Sequence, residues 1–255
     1  MRISILGCSG GRGKNLRPSA FLIDGKLLLD AGTATEALTI KRCAAIDHIL
    51  ITHSHIDHIS DLPFLAQLAF NVRKKPIILY SIKETKENIL EHIFNGHIYP
   101  DLSVIPNKKL AKLTYKILKP LKKTKVSSYN VLPIPVNHTV PAVGYLIDDG
   151  ETAFAFTGDT YLTNLFWETI QGHKRLRTVI IEASFPNRLE EEARITGHLT
   201  PNLLVKEIEK LNRGDVKILV THIMPLYRKE VIEELRKLSK KLPLKVLKDN
   251  MDIRL

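Results

Sequence analysis

Seven consecutive residues, Thr52-His53-Ser54-His55-Ile56-Asp57-His58, hold three imidazoles and one carboxylate, and they constrain the chain more than any other stretch. A helix surface or a solvated loop has no structural need for donors at this density, whereas zinc and related divalent ions bind that mixture of nitrogen and oxygen. His53 and His55 lie two apart, so at an extended strand end both project to one side and can share an ion. Asp57 and His58 follow where the spacing of Leu62, Leu65, Leu68 and Ala69 starts a helix, which lets them reach a neighbouring position. The stretch reads as half of a two-metal site, and a fold must bring the other half to it.

The remaining chain supplies strand ends. Arg2 to Leu6, Ala20 to Asp24 and Lys26 to Leu29 read as strands, the last two joined by a hairpin turn at Asp24-Gly25. Thr33 to Cys43 has helical character, and Ile46 to Ile51 is a strand leading into the histidine stretch. Ile77 to Tyr80 reads as a strand and Lys83 to Phe94 as a helix. Further strands end at His138, Asp159, Glu182 and His222, and they alternate with helices at Pro201 to Leu211 and Lys229 to Lys240. Strands alternating with helices predict layered α/β packing. No linker or internal repeat divides the 255 residues, so one domain is expected.

Composition narrows the class. The cysteines, Cys8 and Cys43, are too few for a disulfide framework and read as reduced packing residues. No apolar run approaches the roughly 18 residues of a membrane span, and Met1 to Gly7 reaches a glycine too soon for a signal peptide, so a cytoplasmic protein without a membrane partner is expected. The net charge of +11 favours an anionic partner, although Lys/Glu-rich helices are equally a feature of proteins from hot environments. The Gly7 to Asn15 loop has Cys8 and Asn15 where a phosphate-binding loop needs glycine and Ser or Thr, so it reads as a glycine-rich turn near a site rim. The basic tract from Lys108 to Lys125 reads as a solvated hairpin or helix face, or as a polyanion track. His92 and His97 lack a partner donor at metal spacing, and Trp167, Phe166 and Tyr99 are candidate stacking surfaces, although an aromatic is more often core than platform.

With these residues in view, the chain resembles the metallo-β-lactamase superfamily, which implies a four-layer αββα sandwich over residues 1–255 with a metal site at one edge of its two sheets. His53, His55, Asp57 and His58 match its HxHxDH element, and His138, Asp159 and His222 match its later ligands. By that resemblance His53, His55 and His138 hold one metal, Asp57, His58 and His222 the other, and Asp159 bridges them. More narrowly, the chain is similar to the bacterial class II 3′,5′-cyclic-nucleotide phosphodiesterases. Thr52 to Pro63 (THSHIDHISDLP), His92 to Pro106 (HIFNGHIYPDLSVIP), Asn137 to Tyr145 (NHTVPAVGY), Ile181 to Asn187 (IEASFPN) and Gly197 to Pro201 (GHLTP) carry that likeness. Ile56 and Asp61 depart from it, standing where the pattern has leucine and a small residue.

The resemblance implies hydrolysis of cAMP or cGMP to the 5′-monophosphate by a hydroxide held between two divalent ions, zinc in the first place, with manganese or iron also suited to the donors. Asp57 belongs to both the metal and the catalytic set, and His198, oriented and kept protonated by Glu182, is the candidate acid for the leaving oxygen. The expected partners are a small anionic phosphodiester and a second copy of the chain in a homodimer. RNA takes the substrate's place in the alternative reading, a tRNA 3′-end endonuclease of the ribonuclease Z type. A sensor that keeps the metals without turnover has no use for the acid.

Overall fold

Strands buried on both faces account for the layers. In the computed structural model, which describes residues 1–239 and 242–255, Phe21 and Ile23 point to one face of their sheet and Leu22 to the other, and all three are buried. Leu27 and Leu29 alternate with Leu28 in the same way. Such strands need cover on both sides.

One sheet has the order β14-β1-β2-β3-β4-β5-β6. It is built from β1 (Arg2–Gly7), β2 (Ala20–Ile23), β3 (Leu27–Leu29), β4 (His48–Leu50), β5 (Ile77–Ser81), β6 (Leu113–Ile117) and β14 (Asp252–Arg254). The other has the order β13-β12-β11-β10-β9-β8-β7. Its strands are β7 (Thr124–Val126), β8 (Tyr129–Val136), β9 (Ala142–Asp148), β10 (Ala153–Phe156), β11 (Leu176–Glu182), β12 (Lys217–Thr221) and β13 (Leu244–Val246). The sheets face each other across a core that includes Ile5, Phe21, Leu29, Tyr145, Phe154, Phe156 and Ile180. Each such side chain contributes about 1.5–3 kcal/mol by leaving water.

Helices α1 (Ile40–Cys43), α2 (Ile56–Ile59), α3 (Leu62–Val72) and α4 (Lys83–His92) belong to the first half of the chain. α3 and α4 bury Leu62, Leu65, Ala66, Ala69 and Ile89 against the outer face of the first sheet. Helices α5 (Leu165–Ile170), α6 (Glu190–Thr196), α7 (Pro201–Glu209) and α8 (Arg228–Leu238) follow. Phe166, Trp167, Leu203, Leu204, Val231 and Leu235 from α5, α7 and α8 cover the second sheet. The result is the expected four-layer αββα sandwich of the metallo-β-lactamase type.

Several boundaries depart from the sequence expectation. The helical stretch predicted over Thr33 to Cys43 shrinks to α1, because Asp61 captures the amides of Ala34 and Thr35 and the Thr35 hydroxyl and holds that backbone in turns. His53 and His55 lie beyond β4 rather than on its end. The predicted end of the last helix, Lys240, lies outside the described residues. The basic tract runs through β6 and β7, each an edge strand of its sheet, and through their connection, with Lys116, Lys119, Lys122, Lys123 and Lys125 exposed. Lysines on an open sheet edge discourage pairing with another chain. No helix among the described residues is long and apolar enough to cross a membrane.

Candidate metal centre

Both sheets deliver donors to one edge. The first sends His53 and His55 from the segment after β4, then Asp57 and His58 from α2. The second sends His138 after β8, Asp159 after β10, Glu182 at the end of β11 and His222 immediately after β12. His198 sits between α6, which ends at Gly197 with φ 73°, and α7, whose Thr200 cap accepts from the Leu203 amide.

These side chains form three groups whose donor atoms lie within 4.8 Å of one another: His53, His55, His138 and Asp159; Asp57, His58, Asp159 and His222; and Glu182, His198 and His222. In the first, His138 Nε2 is 3.0 Å from His55 Nδ1 and His53 Nε2 is 3.6 Å from Asp159 Oδ2. In the second, His58 Nε2 and His222 Nε2 are 3.2 Å apart, each is 3.2 Å from Asp159 Oδ2, and Asp57 Oδ2 is 3.1 Å from His222 Nε2. Ligands at ~2.0–2.2 Å around a tetrahedral ion stand roughly 3.3–3.6 Å from each other, so the donor set fits metal ions. His53 Nε2 and Asp159 Oδ1 are also buried with no hydrogen-bond partner, as befits atoms reserved for a cation.

Residues that the sequence reading passed over aim these donors. Asp30 Oδ2 accepts from His58 Nδ1 at 2.8 Å and from the Thr52 hydroxyl at 2.9 Å, and that hydroxyl meets His53 Nδ1 at 3.0 Å. The carbonyl of Gly197 accepts from His138 Nδ1 at 2.9 Å. Ser184 Oγ donates to Glu182 Oε2 at 2.6 Å and accepts from His222 Nδ1 at 3.0 Å. With one ring nitrogen occupied, the opposite nitrogen of His53, His58, His138 and His222 is directed inward. The glycine-rich loop packs directly on His222, since a Cβ at Gly10 would fall 2.9 Å from its ring. Asp30 and His222 themselves have positive φ (55° and 58°), a conformation that costs such residues about 1–3 kcal/mol and persists where the surroundings over-determine it. Only the role of the glycine loop had a signal in the sequence; an aspartate at position 30 and a serine at 184 look like ordinary turn residues.

Charge distinguishes the groups. Burial pushes His53, His55 and His138 below their ordinary 6.5, so these rings are neutral at pH 7. Burial acts on His58 in the same direction, but the carboxylates of Asp159, Asp30 and Asp57 overcome it and hold the ring well above 6.5. Burial raises Asp57 and Asp159, yet their histidine neighbours keep both well below the usual carboxylate range. A field that keeps a proton on buried His58 equally favours a divalent cation in its place.

His198 Nδ1 lies 2.7 Å from Glu182 Oε1. Burial pulls its ring down, and Glu182 more than offsets this, bringing it to about 9. Its ring centroid is 5.1 Å from that of His138 and 5.4 Å from that of His222, which sets it beside the donor groups. Other candidates fall away: Phe166 and Trp167 are core side chains, Tyr99 is half-buried with its hydroxyl on Gln67, and His92 and His97 are exposed and outside the three groups.

A sequence profile described as a Beta-lactamase superfamily domain matches residues 26–223. The chain is 26% identical over 278 residues to 3′,5′-cyclic-nucleotide phosphodiesterase 1 of Saccharomyces cerevisiae, covering 87% of this chain and 74% of that protein. It is 29% identical over 201 residues to a 3′,5′-cyclic-nucleotide phosphodiesterase of Aliivibrio fischeri, with 68% of this chain and 58% of that protein aligned. A ribonuclease Z of Methanococcus maripaludis is 28% identical over 284 residues, covering 89% of each chain. Among solved structures, unliganded yeast PDE1 superposes with a TM-score of 0.85 at 20% identity, over 100% of this chain and 99% of that one.

Proposed function

The chain belongs to the β-lactamase superfamily, and from that premise we propose that it is a metal-dependent phosphodiester hydrolase acting on 3′,5′-cyclic nucleotides, cAMP or cGMP, to give the 5′-monophosphate. In this reading His53, His55 and His138 hold one divalent ion, zinc in the first place, Asp57, His58 and His222 hold a second, and Asp159 serves both. Ions held there would supply a nucleophile from water at neutral pH and would neutralise charge on the phosphoryl oxygens. The protein's own residues orient the ligands through Asp30, Thr52, Ser184 and the Gly197 carbonyl, and they provide the acid.

The observation that carries the reading is the Glu182–His198 contact at 2.7 Å beside the donor groups. With Nδ1 engaged by Glu182, Nε2 is the atom left to give a proton to the departing 3′-oxygen. A ring brought to about 9 carries that proton at neutral pH. Names of the yeast and Aliivibrio relatives support the cyclic-nucleotide assignment. The test is a panel of cAMP, cGMP, precursor tRNA and a simple phosphodiester, run with elemental analysis of the metal. Cleavage of another diester with both cyclic nucleotides intact defeats the narrow assignment. His198→Ala should retain the metals and slow turnover by about 10²–10⁴-fold; an unchanged rate removes His198 from the reaction.

A tRNA 3′-end endonuclease is the second reading, favoured by the ribonuclease Z relative that aligns over 89% of both chains and by the net charge of +11. It expects cleavage of precursor tRNA and binding that falls steeply with salt.

A further inference from the structure

Asp57, a donor of the second candidate group, also lines a cavity of about 350 Å³ together with Gly11, Arg12, Ile56, Ser60 and Phe64. That volume lies at the small end of the ~300–1,000 Å³ typical of small-molecule sites. Ile56 is 62% exposed and Phe64 55% exposed. Scattered apolar side chains on a surface are ordinary, but these two line one cavity, and Asp57 of the candidate metal centre lines it with them. Phe64 stands on α3 away from the buried face formed by Leu62, Leu65, Ala66 and Ala69, so the core does not account for it. On the remaining wall Arg12 is exposed and has no ion-pair partner among the described residues.

An aromatic face, an aliphatic wall and a free guanidinium beside a phosphodiester centre match a planar heterocycle attached to an anion. We propose that this cavity is the nucleobase subsite of the enzyme, with Phe64 as the stacking face, Ile56 as the second wall and Arg12 supplying charge complementary to the nucleotide. The inference rests on the phosphodiester reading above and adds to it where the base goes. It also replaces Phe166 and Trp167, which the core consumes, with an aromatic that the solvent reaches.

Calorimetric binding of 5′-AMP and ribose 5-phosphate to the zinc-loaded chain tests the subsite without relying on turnover, since the two ligands share sugar and phosphate and differ in the base. The intact protein is expected to prefer AMP by roughly 5- to 100-fold, the contribution of one base–aromatic stack. Phe64→Ala should abolish that preference while leaving ribose 5-phosphate binding in place, and Phe64→Trp should restore it. Melting temperature confirms that the variants are folded. Equal binding of the two ligands to the intact protein, or a preference that survives Phe64→Ala, overturns the subsite. Hydrolysis of phosphodiesters together with no base preference removes the subsite and leaves the functional reading standing; a Phe64-dependent preference in a protein that cleaves no phosphodiester does the reverse.

Discussion

The two donor groups share Asp159 but differ in what surrounds them. Around His53, His55 and His138 the dominant influence is burial, which leaves three neutral imidazoles. Around His58 burial acts in the same way, but the carboxylates together outweigh it, because Asp57 and Asp159 enter the group and Asp30 backs it through His58. The contrast follows from delivery. An extended segment and the end of β8 bring histidines alone to the first group, whereas α2 brings an aspartate and a histidine side by side to the second. A nitrogen-rich set suits borderline ions such as zinc, and added carboxylate oxygen widens tolerance towards manganese.

The largest expected effect removes what the groups share. Asp159→Ala should bring metal content by elemental analysis towards zero and hydrolysis to background; retention of a full equivalent of metal breaks the idea of a common ligand. Next come His55→Ala and Asp57→Ala, each expected to lose one equivalent, with the Asp57 variant keeping the more zinc-selective position. Loss of both metals from either variant merges the groups into one cooperative unit. Smaller again is Asp30→Asn, which should weaken metal binding about 10–100-fold at the second group, whose His58 it contacts directly, and less at the first, which it reaches only through Thr52. A competition titration with a zinc chelator reads that difference, and an equal shift at both positions breaks it.

Legibility in the sequence divided along a physical line. The candidate donors, which the fold gathers at one edge, announced themselves: His53, His55, Asp57 and His58 by density, and His138, Asp159 and His222 by ending apolar strands and matching a known pattern. The layers were equally readable, since β8 and β10 begin and end where their apolar runs do. What stayed hidden depends on contacts between segments distant in the chain. Asp30 meets His58 from 28 residues away and Ser184 meets His222 from 38, and neither residue type advertises such a partner. Asp61 read as a departure from a pattern, and it proves to be a side chain that holds the backbone of residues 34 and 35. Aromatic residues were open for a related reason: Phe166 and Trp167 lie between candidate strands, where composition alone does not reveal which face they take, and the fold gives them the commoner role of core side chains.

The smallest effect is a pH dependence of stability in the chelated protein, and it separates the groups by sign. His53, His55 and His138 have folded values below 6.5, so below that pH the unfolded chain binds more protons and stability is lost on acidification. His58 is held above 6.5, so its contribution is complete below that value and disappears as pH rises through its folded value. His198, brought to about 9, acts in the same direction as His58. The melting temperature of chelated protein should therefore peak near neutrality and fall on each side, by about 2–4 °C for every kcal/mol lost. His55→Ala should flatten the acid limb, because it removes one ring that resists protonation. Asp30→Asn should flatten the alkaline limb, because it removes one of the carboxylates that hold His58 up. A single slope through the whole range, or a variant that flattens both limbs, would mean that the two groups titrate as one.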